Sequence, residues 1–326
     1  MKTKIQDMTS GSPGRLIILF AIPLMLGNIC QQLYTMVDTM VVGQIAGVEA
    51  LAALGAVDFL LWVVTGISTG LTQGFSIQLA QYYGAKDFEN LRKSLAHSYR
   101  LTAFIAVGVF ILSQSFAALV LTGLHTPSNI IGMSLLYLRI IFCGIPATAA
   151  YNMFAAALRA MGNSKTPLTA MIIASVLNIS LDILFVAGFG WGVAGAAIAT
   201  VIAQSFSAVH CFLILRRIDI VHLSRADFMT AAGMNARLMK LGIPVVFQNI
   251  IIGVGGLVVQ YVINGYGFLF VAGFTATNSF MVCWKWQRFL MDMPSLLMWA
   301  RIWEPEGSTG SGKESAAVCC FRCLPH

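Results

Sequence analysis

Three aspartates, Asp38, Asp58 and Asp182, lie inside long apolar stretches of this 326-residue chain. A charge at the centre of a bilayer costs at least ~2.5–3.5 kcal/mol on insertion scales, so an acid in such a stretch is a functional candidate. Asn178 precedes Asp182 by four residues, which puts both on one helix face. At 1.5 Å per residue, Asp38 falls about 6 Å, Asp182 about 9 Å, Tyr137 about 10 Å and Thr200 about 12 Å below one membrane surface. Two carboxylates, an amide and two hydroxyls from four helices then share a layer. Such hard oxygens can coordinate Na⁺. Two carboxylates forced together in a low dielectric can instead hold a proton. Each acid also has a plainer reading, facing a water-filled gap or capping a helix near the interface, and that reading suits Asp58 best. Asn152 lies near the opposite end of its helix and fits the layer poorly.

Composition says what must position these groups. The chain is 58% hydrophobic and 10% charged, with a mean hydropathy of +0.80, whereas soluble domains are roughly 45–50% apolar and about 25% charged. A soluble enzyme or nucleic-acid binder is excluded, and the net charge of +7 sits in short clusters between apolar runs. Seven stretches can each cross a bilayer as a helix: 16–42, 50–80, 97–121, 130–158, 166–188, 192–216 and 240–266. The first is too long for a cleaved signal. The expected fold is therefore all-α, a polytopic membrane helix bundle of about seven transmembrane helices.

Lys and Arg set the orientation. One set of connections carries Lys2, Lys4, Arg15, Lys86, Arg92, Lys93, Arg100, Arg159, Lys165, Arg216, Arg217, Arg225, Arg237 and Lys240. The alternate connections, near 43–49, 122–129 and 188–191, carry none. That bias predicts a cytoplasmic N-terminus in a multi-pass cell-membrane protein. Cys30, Cys143 and Cys211 lie singly in spans, where a thiol behaves as a small apolar group.

An internal repeat is legible. Pro23 and Pro244 both follow an Ile near the start of a span and stand five residues before an Asn, Asn28 and Asn249. Further on, Gly47, Ala52 and Ala56 match Gly267, Ala272 and Ala276 at a constant offset of 220. The seventh helix thus reads as the first of a second half. Gly66, Gly70 and Gly74 form a face that admits another helix at backbone distance. Pro23, Pro146 and Pro244 bend spans and free carbonyls. Arg139, inside the fourth span, is expected to pair with a carboxylate or carbonyls.

The chain resembles the MATE (multidrug and toxic compound extrusion) transporters over residues 14–278. The resemblance rests on "LYTMVDTMVVGQ" with Pro23 upstream, "QYYGAKDFENLRKS", "ALRAMGNSKTP" and "LNISLDILFVAGFGWGVAGAAIAT". It implies one six-helix lobe of a two-lobe, twelve-helix transporter that expels cationic amphipathic drugs by Na⁺ or H⁺ antiport. It also implies that Asp38, Asn178, Asp182 and Thr200 hold the coupling ion, with no other cofactor and no enzymatic step. Some relatives use an acid on helix seven; none lies between Lys240 and Tyr266 here, which favours coupling in the first lobe. The expected divisions are a lobe at 1–218, an inter-lobe loop at 219–239, the start of the second lobe at 240–278 and an aberrant tail at 279–326. With its second lobe missing, such a chain has no opposing wall for a drug cavity and should transport poorly.

The tail changes composition abruptly, holding four of six Trp and four of seven Cys. Its phosphate-loop-like run to Lys313 has Glu314 where Ser or Thr is required, and Cys320, Cys323 and His326 make no complete zinc set. Reading Met298 to Glu314 one frame over restores a sequence that realigns with 81–93, so the expectation is a lost base after the Asn278 codon.

Three rivals fare worse. A lipid-linked oligosaccharide exporter of the same architecture would line its cavity with several cations for a pyrophosphate, and only Arg139 lies within a span. A rhodopsin-like receptor would need an external N-terminus and a lysine in its last span. An intramembrane protease would need catalytic motifs that are absent.

Overall fold

A computed structural model describes residues 13–228 and 233–278, and every regular element among them is helical. The predicted tail at 279–326 and the basic residues Lys2 and Lys4 lie outside the described residues. Helix α1 (Pro13–Val41) continues into a π turn, Val42–Ala46; α2 (Val48–Gly55) and α3 (Asp58–Gly84) follow, then α4 (Phe88–Gly123). Next come α5 (Ile131–Cys143), α6 (Ile145–Ala160), α7 (Lys165–Asp182) with a π turn at Ile183–Gly188, and α8 (Gly192–Arg216). After two short 3₁₀ turns, α9 (Met234–Asn264) and α10 (Phe268–Asn278) complete the described chain.

Against the seven predicted spans, five helices among the described residues, or six with the bent α5–α6 pair counted as one, are long and apolar enough to cross a membrane. The 50–80 span is two helices, broken at Ala56–Val57. The 130–158 span is the pair α5 and α6, bent by 48° where Gly144 precedes Ile145 and Pro146, as expected of a proline that cannot donate into the preceding turn. Helix α9 begins at Met234 rather than Lys240, because Met234 and Leu238 are buried against the lobe and Gln78 Nε2 meets Met234 Sδ at 3.1 Å. Two of the motif loops are capping devices: Asp87 accepts from the backbone N–H of Asn90 at 3.1 Å, and Asn163 accepts from that of Thr166 at 3.1 Å.

Three apolar clusters stack along the bundle. One gathers Phe75, Leu79, Leu95, Leu158, Leu215 and Leu238 at the end rich in Lys and Arg. A second packs Leu121, Leu138, Phe142 and Val193 towards the other end. A third seals that end with Ala52, Ala53, Ala56, Ile263, Val271 and Ala272. Cys211 is buried in the first cluster.

The glycine face of α3 meets α9, its most extensive partner. A methyl added at Gly74 would sit 2.5 Å from Gly242 N, and one at Gly70 2.8 Å from Val246 N. One at Gly66 would sit 3.2 Å from Asn249 Cβ, whose Nδ2 donates to Gly66 O at 3.0 Å. Further along, Val63 and Phe59 occupy the places of absent side chains at Gly253 and Gly256. The pairs advance by three or four residues on each helix in opposite directions, an antiparallel seam in steady register.

The repeat also has a backbone signature. Gly47 and Gly267 adopt φ of +94° and +87°, a region that favours glycine, and each leads into a short helix, α2 or α10. Pro23 and Pro244 lie inside α1 and α9.

Gly70→Val is expected to destabilise the folded chain by about 1–3 kcal/mol through overpacking against backbone, lowering its thermal midpoint in detergent. Gly108→Val, where an added Cβ meets nothing, should leave the midpoint nearly unchanged. Equal midpoints for the two variants would show that the seam tolerates bulk.

Candidate cation-binding site

The four helices carrying the polar layer close on one another: α1 packs on α7, α7 on α8, and α5 on α8. Two of them pass into π turns beside their aspartates, α1 just beyond Asp38 and α7 directly after Asp182. Such a turn widens the helix and redirects side chains, a device frequent at functional sites.

Asp38 is 6% exposed, and Asp182 and Asn178 are fully buried. Tyr137 is buried on α5, while Thr200 on α8 is half-buried. Asn178 Nδ2 donates to Thr200 Oγ1 at 3.5 Å, leaving the threonine proton free for a neighbour. Asp38 and Asp182 lie within electrostatic reach of each other, and Tyr137 within reach of both. The structure thus sets Asn178 against Thr200 and keeps Asp38, Asp182 and Tyr137 within electrostatic reach of one another.

Several oxygens in this layer lack donors. Asp38 Oδ1, Asn178 Oδ1 and both carboxylate oxygens of Asp182 are buried with no hydrogen-bond partner. Among the described residues the one ion pair is Lys93–Glu89, at 2.6 Å on the surface, so no basic side chain neutralises the aspartates. Buried polar atoms are normally satisfied, and carboxylate oxygens left without a protein donor call for a proton, a cation or a water. No three of His, Cys, Asp and Glu converge among the described residues. The donor set is two carboxylates with amide and hydroxyl oxygens, which suits a hard cation better than zinc.

Two further polar residues extend the layer by one turn. Gln204 Nε2 reaches Tyr34 OH at 3.5 Å, and Gln204 Oε1 is buried without a partner. Tyr34 precedes Asp38 by four residues and Gln204 follows Thr200 by four, so the same spacing argument that found Asn178 could have found both. Asp58 opens α3 and is exposed, as a helix-end residue is, although it lies within electrostatic reach of Asp38. Asn152 is tied to Thr69 Oγ1 at 3.2 Å, outside the layer.

Arg139 departs from expectation. It is exposed, and its guanidinium has no hydrogen-bond or ion-pair partner among the described residues; only its carbonyl is engaged, by Gln114 Nε2 at 2.9 Å. Two residues beyond inward-facing Tyr137, it points some 200° around the helix, away from the carboxylates.

Comparison with known proteins accords with the fold. A protein-family model described as MatE matches residues 23–184. The chain is 31% identical over 275 residues to the probable multidrug resistance protein YpnP of Bacillus subtilis (strain 168), covering 84% of this chain and 62% of that protein. It is 30% identical over 282 residues to the probable multidrug resistance protein YoeA of the same strain, covering 84% and 61%. It therefore spans about three fifths of the length of these curated relatives. An inward-facing multidrug resistance MATE family transporter of the MOP superfamily matches with a TM-score of 0.71 at 23% identity, over 86% of this chain and 64% of that one. The outward-facing form matches with a TM-score of 0.75 at 25% identity, over 93% and 66%. Fold, family match and relatives agree in likening the chain to the MATE family.

Proposed function

We propose that the transporter to which this lobe belongs exports bulky cationic, amphipathic compounds across the cell membrane in exchange for Na⁺ or H⁺. In this reading Asp38, Asn178, Asp182 and Thr200 hold the coupling ion, with Tyr137 closing the layer. The observation that carries it is the set of buried oxygens without donors and without a basic counter-charge. The names of the relatives, multidrug resistance and multidrug export proteins, support the substrate class.

The mechanism follows from charge. With the site empty and both carboxylates ionised, like charges face each other in a low dielectric, an arrangement that favours taking up a cation or proton. Occupancy removes the repulsion and lets α1 and α7 settle together. Pro23 within α1 leaves a carbonyl without its helical partner, so α1 can change its bend when the charge beside it changes. A ligand shifts such an equilibrium only by its differential affinity for the two states. The ion supplies that difference at Asp38 and Asp182, and drug release is the other half of the exchange. The charge bias of the loops supports a cytoplasmic N-terminus, with the acidic layer then nearer the outside. An oligosaccharide-exporting function would call for cations around the cavity, and Arg139 points away from this one.

Asp38→Asn or Asp182→Asn, in a transporter completed by a second lobe, should cut drug efflux at least about tenfold, or about 1.4 kcal/mol, with unchanged abundance in the membrane. Retained transport by both variants would defeat the assignment. Thr200→Val separates the ions: it should weaken ²²Na⁺ binding to the purified chain if Na⁺ is coupled, and spare proton uptake if H⁺ is. Cells expressing the 326-residue chain alone should clear ethidium no faster than control cells; robust efflux would show that one lobe with α9 and α10 suffices.

A further inference from the structure

The acidic layer is the head of a longer polar column. Tyr34 stands on α1 one turn before Asp38, about 6 Å along the helix, within electrostatic reach of Asp38 and of Tyr137. Its hydroxyl meets Gln204 Nε2 of α8 at 3.5 Å, and Gln204 Oε1 is buried without a partner. Buried Tyr151 of α6 comes within reach of Tyr34 in turn. Tyr151 belongs to the apolar cluster at the end rich in Lys and Arg. Acids, phenols and an amide therefore follow one another from the acidic layer to that end. Such a file offers a proton or a small cation the partners that alkyl side chains cannot.

Arg159 stands at the foot of the column. It lies in the last turn of α6, about 12 Å along the helix from Tyr151. A side chain on a helix leans toward the N-terminal end, and the Arg159 head lies within electrostatic reach of both Tyr151 and Cys211 of α8. The guanidinium is thus turned back into the bundle. Its Nε is buried with no hydrogen-bond partner, and among the described residues no carboxylate pairs with it.

The plain reading is a cation set against the C-terminal end of the α6 dipole. An exposed head serves that purpose equally well, and Arg216 ends α8 in that way. The dipole does not account for a guanidinium held inward without a counter-charge, which costs free energy and keeps its proton throughout. One uncompensated positive charge therefore faces, along a single column, two uncompensated carboxylates.

We propose that Arg159 is an electrostatic barrier at the foot of this column, allowing a cation to reach Asp38 and Asp182 from the outer side and denying it passage through the lobe to the cytoplasm. The inference rests on the ion-exchange reading above. Exchange is tight only if the ion cannot cross without drug, and a fixed charge in the lobe enforces that condition. A pore-lining arginine excludes protons and cations in the same way.

The test is ion leak without drug, in the 326-residue chain reconstituted in liposomes held negative inside. A trapped pH dye and external ²²Na⁺ are the two probes, and the unaltered chain should be tight to both. Arg159→Gln should pass at least one of them at least about tenfold faster, the order expected from removing one unit charge in a partly screened interior. Arg159→Lys should restore tightness; a lysine variant as leaky as the glutamine one shows that charge is not the cause. Adding Asp38→Asn and Asp182→Asn to Arg159→Gln should abolish the leak. A leak that survives loss of both acids comes from loosened packing, and tight liposomes from folded Arg159→Gln protein mean that no barrier was removed. Any of these three contrary results overturns the proposal. Should Arg159→Gln fail to fold, Arg159→Met, which keeps an unbranched apolar stem, carries the same comparison. Drug efflux retained by the aspartate variants defeats the exchange reading, whereas tight Arg159→Gln liposomes defeat this one alone.

Discussion

Inside a bilayer a polar atom has no water to turn to, and each one left without a partner costs free energy. Most polar groups in this bundle obey that constraint by local means. Hydroxyls such as Thr72, Ser98 and Ser175 bond to carbonyls three or four residues back, Asn249 caps a carbonyl of the facing helix, and Gln260 and Asn264 satisfy each other. Against that background, beside scattered single atoms such as Gln78 Oε1 and Arg159 Nε, the acceptors around Asp38 and Asp182 are the largest group left without partners. They are concentrated on helix segments that end in π turns, where backbone geometry is already irregular. Two carboxylates buried together without a basic partner favour something positive between them, which links burial to ion coupling.

The layer was legible because depth is arithmetic. Helices start and stop at visible loops, each residue advances 1.5 Å, and Asp38, Asn178, Asp182, Thr200 and Tyr137 fall at one height whatever the rotation of their helices. Pro146 likewise announced its bend, and the glycines of α3 announced a close neighbour. What could not be read was which helix fills that groove. Gly74 and Gly242 are far apart in sequence, and α9 carries its own glycines at a register that becomes meaningful only when the two faces are laid together. Tyr34 and Gln204 escaped notice for a different reason. Neither is charged, so the sequence marks neither as costly in lipid, whereas the fold buries Gln204 Oε1 without a partner.

Arg139 shows the limit of reasoning from cost alone. A cation within a span ought to find an acid, yet the acids face the interior from α1 and α7 while Arg139 lies on the exposed side of α5. A long side chain on such a face can direct its charged head toward the interface, so its position is tolerable without a partner in the bundle. Tyr137 inward and Arg139 outward mark the two faces of a single turn of α5.

The α3–α9 seam has a consequence for how the chain is made. Its two strands of contact are separated by the whole of α4 to α8, so the groove at Gly66, Gly70 and Gly74 is synthesised long before anything can fill it. At roughly 5–20 residues per second, the wait between Gly74 and Gly242 is on the order of ten to thirty seconds. During that interval the first six spans sit in the translocating membrane with a bare glycine trough against lipid tails. The lobe is thus assembled around a deliberate gap, and the first segment beyond it acts as the closing piece, so that translation order itself schedules when the bundle becomes fully packed.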